Sequence, residues 1–136
     1  LVAHECEIAE TENIEWLPHT CWRLFRDPAN WAAILQSTWI RPEDLHHHAG
    51  LFDVVKLATR MHAHPRLVID AYISGKYHGN LLDLFEPGFG PALAPKVIDA
   101  SRLPDDWFEQ TSTCGHRCET CDYCERALQQ ALVEVT

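Results

Sequence analysis

The chain has 136 residues, 46% of them hydrophobic, and its 11 Lys and Arg stand against 20 Asp and Glu for a formal net charge of -9. That length supports one globular core rather than two independent ones. The acidic balance makes nucleic acid or an anionic membrane an unlikely partner, and no apolar run approaches the ~20 residues of a membrane span.

The first residues lack the basic start and apolar core of a secretory signal, so the expected location is cytoplasmic. The opening LVAHECEIAE carries no initiator methionine and starts in what reads as a buried strand. The chain is therefore expected to be a piece of something longer, its core completed by a missing N-terminal portion or a protein partner.

LVAHEC (1–6) reads as a strand, followed by the acidic EIAETENIE, a loop or short helix. In RDPANWAAILQST (26–38), Asp27 caps a helix that opens on Pro28, with Trp31, Ile34 and Leu35 spaced to face a core. TWI (38–40) is a short extended segment, and RPEDLHHHAG (41–50) a one- or two-turn helix begun by Pro42 and capped by Gly50. LFDVVKLATR (51–60) has the β-branched, nearly continuous apolar character of a strand buried on both faces.

In HPRLVIDAYISGKY (64–77), Pro65 opens a helix with an apolar stripe of Leu67, Val68, Ala71 and Tyr72, ended by Gly75. Strand followed by helix is the grammar of a parallel α/β sheet. NLLDLF (80–85) is another short helix, and EPGFGPALAP (86–95), with three prolines and two glycines, is a surface loop. LPDDWFEQ (103–110) reads as a short capped helix and CERALQQALVEV (124–135) as a terminal one. The loop at 86–95 is the plausible seam. It divides a βα-type body, 1–85, from a helical, cysteine-rich lobe, 86–136.

CGHRCETCDYC (114–124) places Cys114, Cys118, Cys121 and Cys124 at spacings of 4, 3 and 3. A continuous helix would align them on one stripe but spread them over ~15 Å at 1.5 Å per residue, beyond one small metal centre. To share a centre the segment must wrap as a loop, for which Gly115 offers free dihedral space. Four thiolates gathered without a cation repel one another, whereas a metal deprotonates thiols and stabilises the fold that holds them. Structural zinc usually takes two knuckles a dozen or more residues apart. A compact run suits an iron-sulfur cluster better, and C-x3-C-x2-C-x2-C is the reverse of the bacterial ferredoxin spacing. A 4Fe-4S cluster on these four cysteines is the expectation, with zinc as the alternative and disulfides or free thiols as the third reading.

Cys114, Cys118 and Cys121 also satisfy the C-x3-C-x2-C of radical-SAM enzymes, but that motif belongs after the first strand of a barrel, and Thr120 stands where an aromatic is common. Cys6 and Cys21 read as buried small hydrophobes rather than ligands of a second centre. Within HHH (46–48) adjacent side chains diverge, so at most one or two could serve a common metal. His62 and His64, at the start of a helix, read as solvated or capping. Lys56 and Arg60, at the carboxyl end of the expected strand, are the weak candidates for a catalytic role, either presenting positive charge to an anion or carbonyl or pairing with Glu43 or Asp44. P-loop, dinucleotide glycine fingerprint, G-x-S-x-G and H-E-x-x-H are all absent from the sequence.

WIRPEDL, FDVVKLATR, AYISGKYHGNLLDLF and the C-x3-C-x2-C-x2-C run before a terminal helix together resemble the C-terminal part of proteins in the collagenase-like peptidase superfamily, over residues 37 to 130. The resemblance implies an α/β fold of partial TIM-barrel βα units, with LVAHEC, TWIRPEDL and FDVVKLATR similar to the last strand regions. It implies an iron-sulfur protein, a component of an oxygen-independent hydroxylase or related redox enzyme. A full barrel needs about 250 residues, so the substrate pocket is expected to be incomplete within this chain. The alternative function is a non-catalytic interaction module stapled by zinc or a cluster.

Overall fold

The computed structural model describes residues 20–86 and 93–135. The expected strand at LVAHEC, Cys6, the acidic stretch after it and most of the 86–95 loop lie outside them, as does the side chain of Cys21. The α-helices are α1 (Thr20–Phe25), α2 (Ala32–Gln36), α3 (Pro65–Ser74), α4 (Trp107–Ser112) and α5 (Tyr123–Ala131). Among the described residues two strands, β1 (Lys96–Ile98) and β2 (Leu132–Glu134), and short 3-10 helices complete the order.

Local chemistry accounts for most helix boundaries. The Asp27 carboxylate accepts the Ala29 N–H at 3.0 Å ahead of a 3-10 turn, Pro28–Asn30, which runs into α2. The expected single helix is thus broken at Trp31, whose indole N–H donates to the Phe25 carbonyl at 2.7 Å. Trp31, Ile34 and Leu35 are buried. Residues 42–48 form a 3-10 rather than an α-helix, with Pro42 in its first turn. In α3, Pro65 opens the helix and Gly75 closes it in the left-handed conformation, φ 64°. Its buried residues are Val68 and Ala71; Leu67 faces outward. Asn80 caps the 3-10 helix Leu81–Leu84, accepting from the Leu82 N–H at 3.3 Å.

One buried cluster joins Ile34, Leu35, Leu81, Leu82, Ile98, Trp107, Ala127, Leu128 and Ala131, so residues from both sides of the 86–95 loop share a core. The two strands tie its ends together. Lys96 lies opposite Glu134, Val97 opposite Val133 and Ile98 opposite Leu132, antiparallel. Asp99 N–H donates to the Ala131 carbonyl at 2.8 Å and Val135 N–H to the Pro95 carbonyl at 2.9 Å. The terminal helix therefore stops at Ala131, not at 135. Its last residues, Val133 and Val135, are β-branched, and β1 supplies the backbone partners that a helix would otherwise provide.

The segment 51–60 departs from expectation most. It was expected as a strand buried on both faces, yet among the described residues its β-pairing is a single isolated bridge, Phe52 to Ala49, and it is largely exposed. Val54 is 82% exposed, with Leu51, Phe52, Val55 and Met61 also open; Ile73 of α3, at 81%, joins them as an exposed apolar side chain. A β-branched segment is buried only where neighbouring strands cover it, and the sheet among the described residues is the β1–β2 pair. An open apolar surface of this kind marks an interaction face.

Arg41 joins the 3-10 helix to the cysteine lobe. Its Nε and Nη2 donate to the two Asp44 oxygens at 2.9 and 2.8 Å, and Nη1 donates to the Pro104 carbonyl at 3.3 Å. Asp44 is only 5% exposed. Removing one member of a buried ion pair leaves an uncompensated charge, whereas exposed pairs contribute little. Arg41→Ala is expected to lower unfolding free energy by roughly 3 kcal/mol or more in urea melts. Arg126→Ala, which breaks the open pair with Asp122, should cost less than about 1 kcal/mol. Val54→Lys and Ile73→Lys should leave stability within about 0.5 kcal/mol while reducing binding of an apolar dye; a large loss would show that these side chains are buried.

Candidate metal centre

Residues 113–122 form a loop between α4 and α5 that carries Cys114, Cys118 and Cys121, while Cys124 sits in the first turn of α5. Both ends are anchored in the core, through Trp107 on one side and Ala127 and Leu128 on the other. Tyr123 Oη donates to Asp106 Oδ1 at 2.9 Å, tying the start of α5 to the residue before α4. Burial first, then that hydrogen bond and the Asp106 charge, pushes the Tyr123 phenol far up, so it remains a donor across the working pH range.

Inside the loop, Cys114 N–H bonds the Thr111 carbonyl at 3.2 Å and Thr120 N–H the Arg117 carbonyl at 3.1 Å. The His116 N–H donates to Cys114 Sγ at 3.4 Å, a bond that strengthens when the sulfur is a thiolate. The left-handed residue that turns this chain is His116, φ 53°, not Gly115 as the sequence suggested. Space is not what requires a glycine at 115: a Cβ there would meet only Arg117 Nε, at 3.7 Å.

Cys114, Cys118 and Cys121 are exposed and Cys124 is half-buried; none forms a disulfide. The Cys124 thiol is held above its ordinary pKa, mainly by burial and then by the charges of Cys114, Cys118 and Cys121. Each of those three sulfurs thus lies near enough to Cys124 to act on its charge. Among the described residues no three His, Cys, Asp or Glu side chains are gathered closely enough to hold one ion. In chemistry the donor set still fits a thiophilic centre: four sulfurs, a backbone donor already aimed at one of them, and a loop free of packing that would oppose its closing.

A cavity of about 320 Å³ opens beside this loop, touching Cys114, Cys118 and Cys124 together with His48 and His116. Trp39, Trp107 and Phe108 form its aromatic wall. Trp39 packs on Trp107 at 5.4 Å between ring centroids and edge-on to Phe85 at 5.6 Å, and Phe108 stacks on His47 at 3.8 Å. Sequence reasoning passed over these aromatics because TWI and DDWFEQ look like ordinary core-facing segments, and no spacing rule marks a wall built from two distant stretches.

The other candidates stand apart from the thiols. Lys56 and Arg60 are exposed on the uncovered segment, and neither lines the cavity. Arg41, not Lys56 or Arg60, is the partner of Asp44 and lies 4.0 Å from Glu43. Of the histidine triplet, His46 bonds the Glu43 carbonyl at 2.7 Å, His47 covers Phe108 and His48 alone reaches the cavity. His62 Nδ1 accepts the His64 N–H at 2.9 Å, so Nε2 carries the proton and donates to the Asp83 carbonyl at 2.7 Å. Both ring nitrogens of His62 are used in holding the turn before α3.

A protein of Methanocaldococcus jannaschii named as an uncharacterized protease is 31% identical to this chain over 108 residues. The match covers 73% of the chain but 30% of that protein, so the chain spans under a third of its relative's length. No family model and no solved structure matches. The similarity accords with a peptidase-family relationship. No helix among the described residues is long and apolar enough to cross a membrane.

A raised thiol pKa means that the folded state favours the neutral thiol. The stability it contributes is full below the ordinary thiol pKa and is lost as pH rises through the folded value. Alkylation of Cys124 in metal-free protein should therefore be slower at pH 8 than in the urea-unfolded chain. Replacing Cys114, Cys118 and Cys121 together with serine should recover part of the rate, since burial is the larger cause. Full recovery would mean that neighbouring charge, not burial, dominates.

Proposed function

We propose that these residues are the C-terminal part of a larger protein of the collagenase-like peptidase superfamily, in which Cys114, Cys118, Cys121 and Cys124 hold a 4Fe-4S cluster. The protein is then a component of an oxygen-independent hydroxylase or related redox enzyme in the cytoplasm. The observation that carries the reading is the set of four unpaired, interacting thiols on a short anchored loop beside a cavity. Such thiols persist in a reducing compartment. The cluster, when bound, supplies one-electron chemistry and a compensating positive charge. The chain's own part is to hold it: α4 and α5 set the two ends of the loop, the His116 N–H orients Cys114, and Tyr123 with Asp106 keeps Cys124 at the start of α5.

The uncovered apolar segment 51–61 supports completion by further polypeptide, as does a relative more than three times as long as the matched stretch. In this reading that polypeptide pairs with residues 53–59, builds the α/β barrel, and brings Lys56 and Arg60 to face substrate. A zinc- or cluster-stapled interaction module is the second reading, favoured by the exposure of three thiols on a loop whose ends run into buried residues.

The test is iron, acid-labile sulfide and zinc analysis of protein prepared without oxygen, repeated on Cys121→Ser. Iron and sulfide in equal amounts with broad visible absorption, lost in the variant, is the expected result. Zinc in their place selects the staple, and metal content unchanged by the substitution removes this loop as the ligand set.

A further inference from the structure

We propose that the cavity beside the thiol loop is a binding site for a small, neutral, planar molecule that carries a hydrogen-bonding group. The inference rests on the cavity's own walls and goes beyond the metal reading. Its volume, about 320 Å³, lies at the small end of ligand sites and admits one ring-sized group, not a dinucleotide. Three aromatic rings make the wall, which favours a flat ligand that can lie against them.

Charge decides the class. Arg41 and Asp44 are the full charges of opposite sign that border the cavity, and they neutralise each other through two hydrogen bonds at 2.9 and 2.8 Å. The third Arg41 donor is taken by the Pro104 carbonyl. An anionic or cationic ligand would give up its hydration without gaining an unpaired counter-charge, a cost that a neutral one avoids. A polar group on the ligand is matched by the hydroxyls of Thr38 and Ser112, which lie exposed at the rim and can hydrogen-bond to it.

A second observation lies at the cavity mouth. His116 is held in a left-handed conformation that a side-chain-bearing residue seldom adopts, and it borders the same space as Cys114 and Cys118. An occupant of the cavity therefore lies against the loop that carries Cys114 and Cys118.

The experiment uses benzamide as the neutral probe, with benzoate and benzylammonium as charged probes of the same ring size. Each is titrated into the 136-residue chain, once with metal chelated under reductant and once after reconstitution with iron and sulfide. Tryptophan fluorescence reads occupancy of the wall, and the alkylation rate of Cys114 and Cys118 in the chelated sample reads cover of the rim.

Benzamide is expected to bind saturably in at least one form and to slow alkylation, with the charged probes at least about tenfold weaker. Ser112→Trp and, as a second blocking change, Thr38→Trp, both at exposed rim positions, should abolish binding, whereas Ile73→Ala, away from the cavity, should not. No saturable binding in either form, equal affinity for the three probes, or binding that survives both blocking variants would overturn the proposal. Failure to take up iron would count against the cluster and leave the chelated arm to judge the cavity.

Discussion

Thiolates gathered on one short loop repel one another, and Cys114, Cys118, Cys121 and Cys124 stand on such a loop, anchored at both ends. Cys124 already registers it, its thiol held protonated by burial and by the three sulfurs nearby. The loop cannot relieve the crowding by swinging away as a whole, because both of its ends run into the buried core at Trp107 and at Ala127 and Leu128. A bound cation converts the same crowding from a cost into a source of stability, since it draws the thiols to thiolates and repays their repulsion. The lobe is in this sense a folded frame around a loop of four thiols.

The frame explains how distant residues come to act on the loop. The β1–β2 pair closes the chain on itself, so α5 returns to the stretch just before α4. Arg41 reaches from the 3-10 helix to the Pro104 carbonyl, and Tyr72 Oη donates to the Ile40 carbonyl at 2.6 Å, so the segment 38–44 is gripped from two sides. That grip places Trp39 against Trp107 and forms the wall of the cavity that meets the cysteines. At the opposite extreme, residues 51–61 are mostly exposed and are held at their ends, by the Leu51 N–H on the His48 carbonyl and the Met61 N–H on the Glu86 carboxylate. A well-anchored lobe thus stands beside an uncovered apolar segment, in a chain that spans under a third of its relative's length.

Much of this was legible from local chemistry. Asp27, Pro65, Gly75 and Asn80 mark helix ends because capping and backbone freedom are decided by one or two residues. The cysteines stood out because thiol spacing is a strong signal with few other uses. What local chemistry could not supply was the outcome of competition between distant segments. Val133 and Val135 left the terminal helix because β1 happened to lie alongside, and LFDVVKLATR stayed open because nothing among the described residues covers it. The cavity escaped for the same reason: its walls come from 38–41 and 107–118, which meet only in the fold. The left-handed turn fell on His116 rather than Gly115 because the placement of Cys114 and Cys118 depends on the whole loop, not on the freest residue in it.

The central claim is that Cys114, Cys118, Cys121 and Cys124 close around a single inorganic centre. X-ray absorption at the metal edge of the anaerobically loaded chain tests it most directly. The account predicts a coordination shell made of sulfur alone, with a neighbouring metal scatterer if the centre is an iron-sulfur cluster. A shell rich in nitrogen or oxygen, as binding through His48 or His116 or a loose surface site would give, would contradict it.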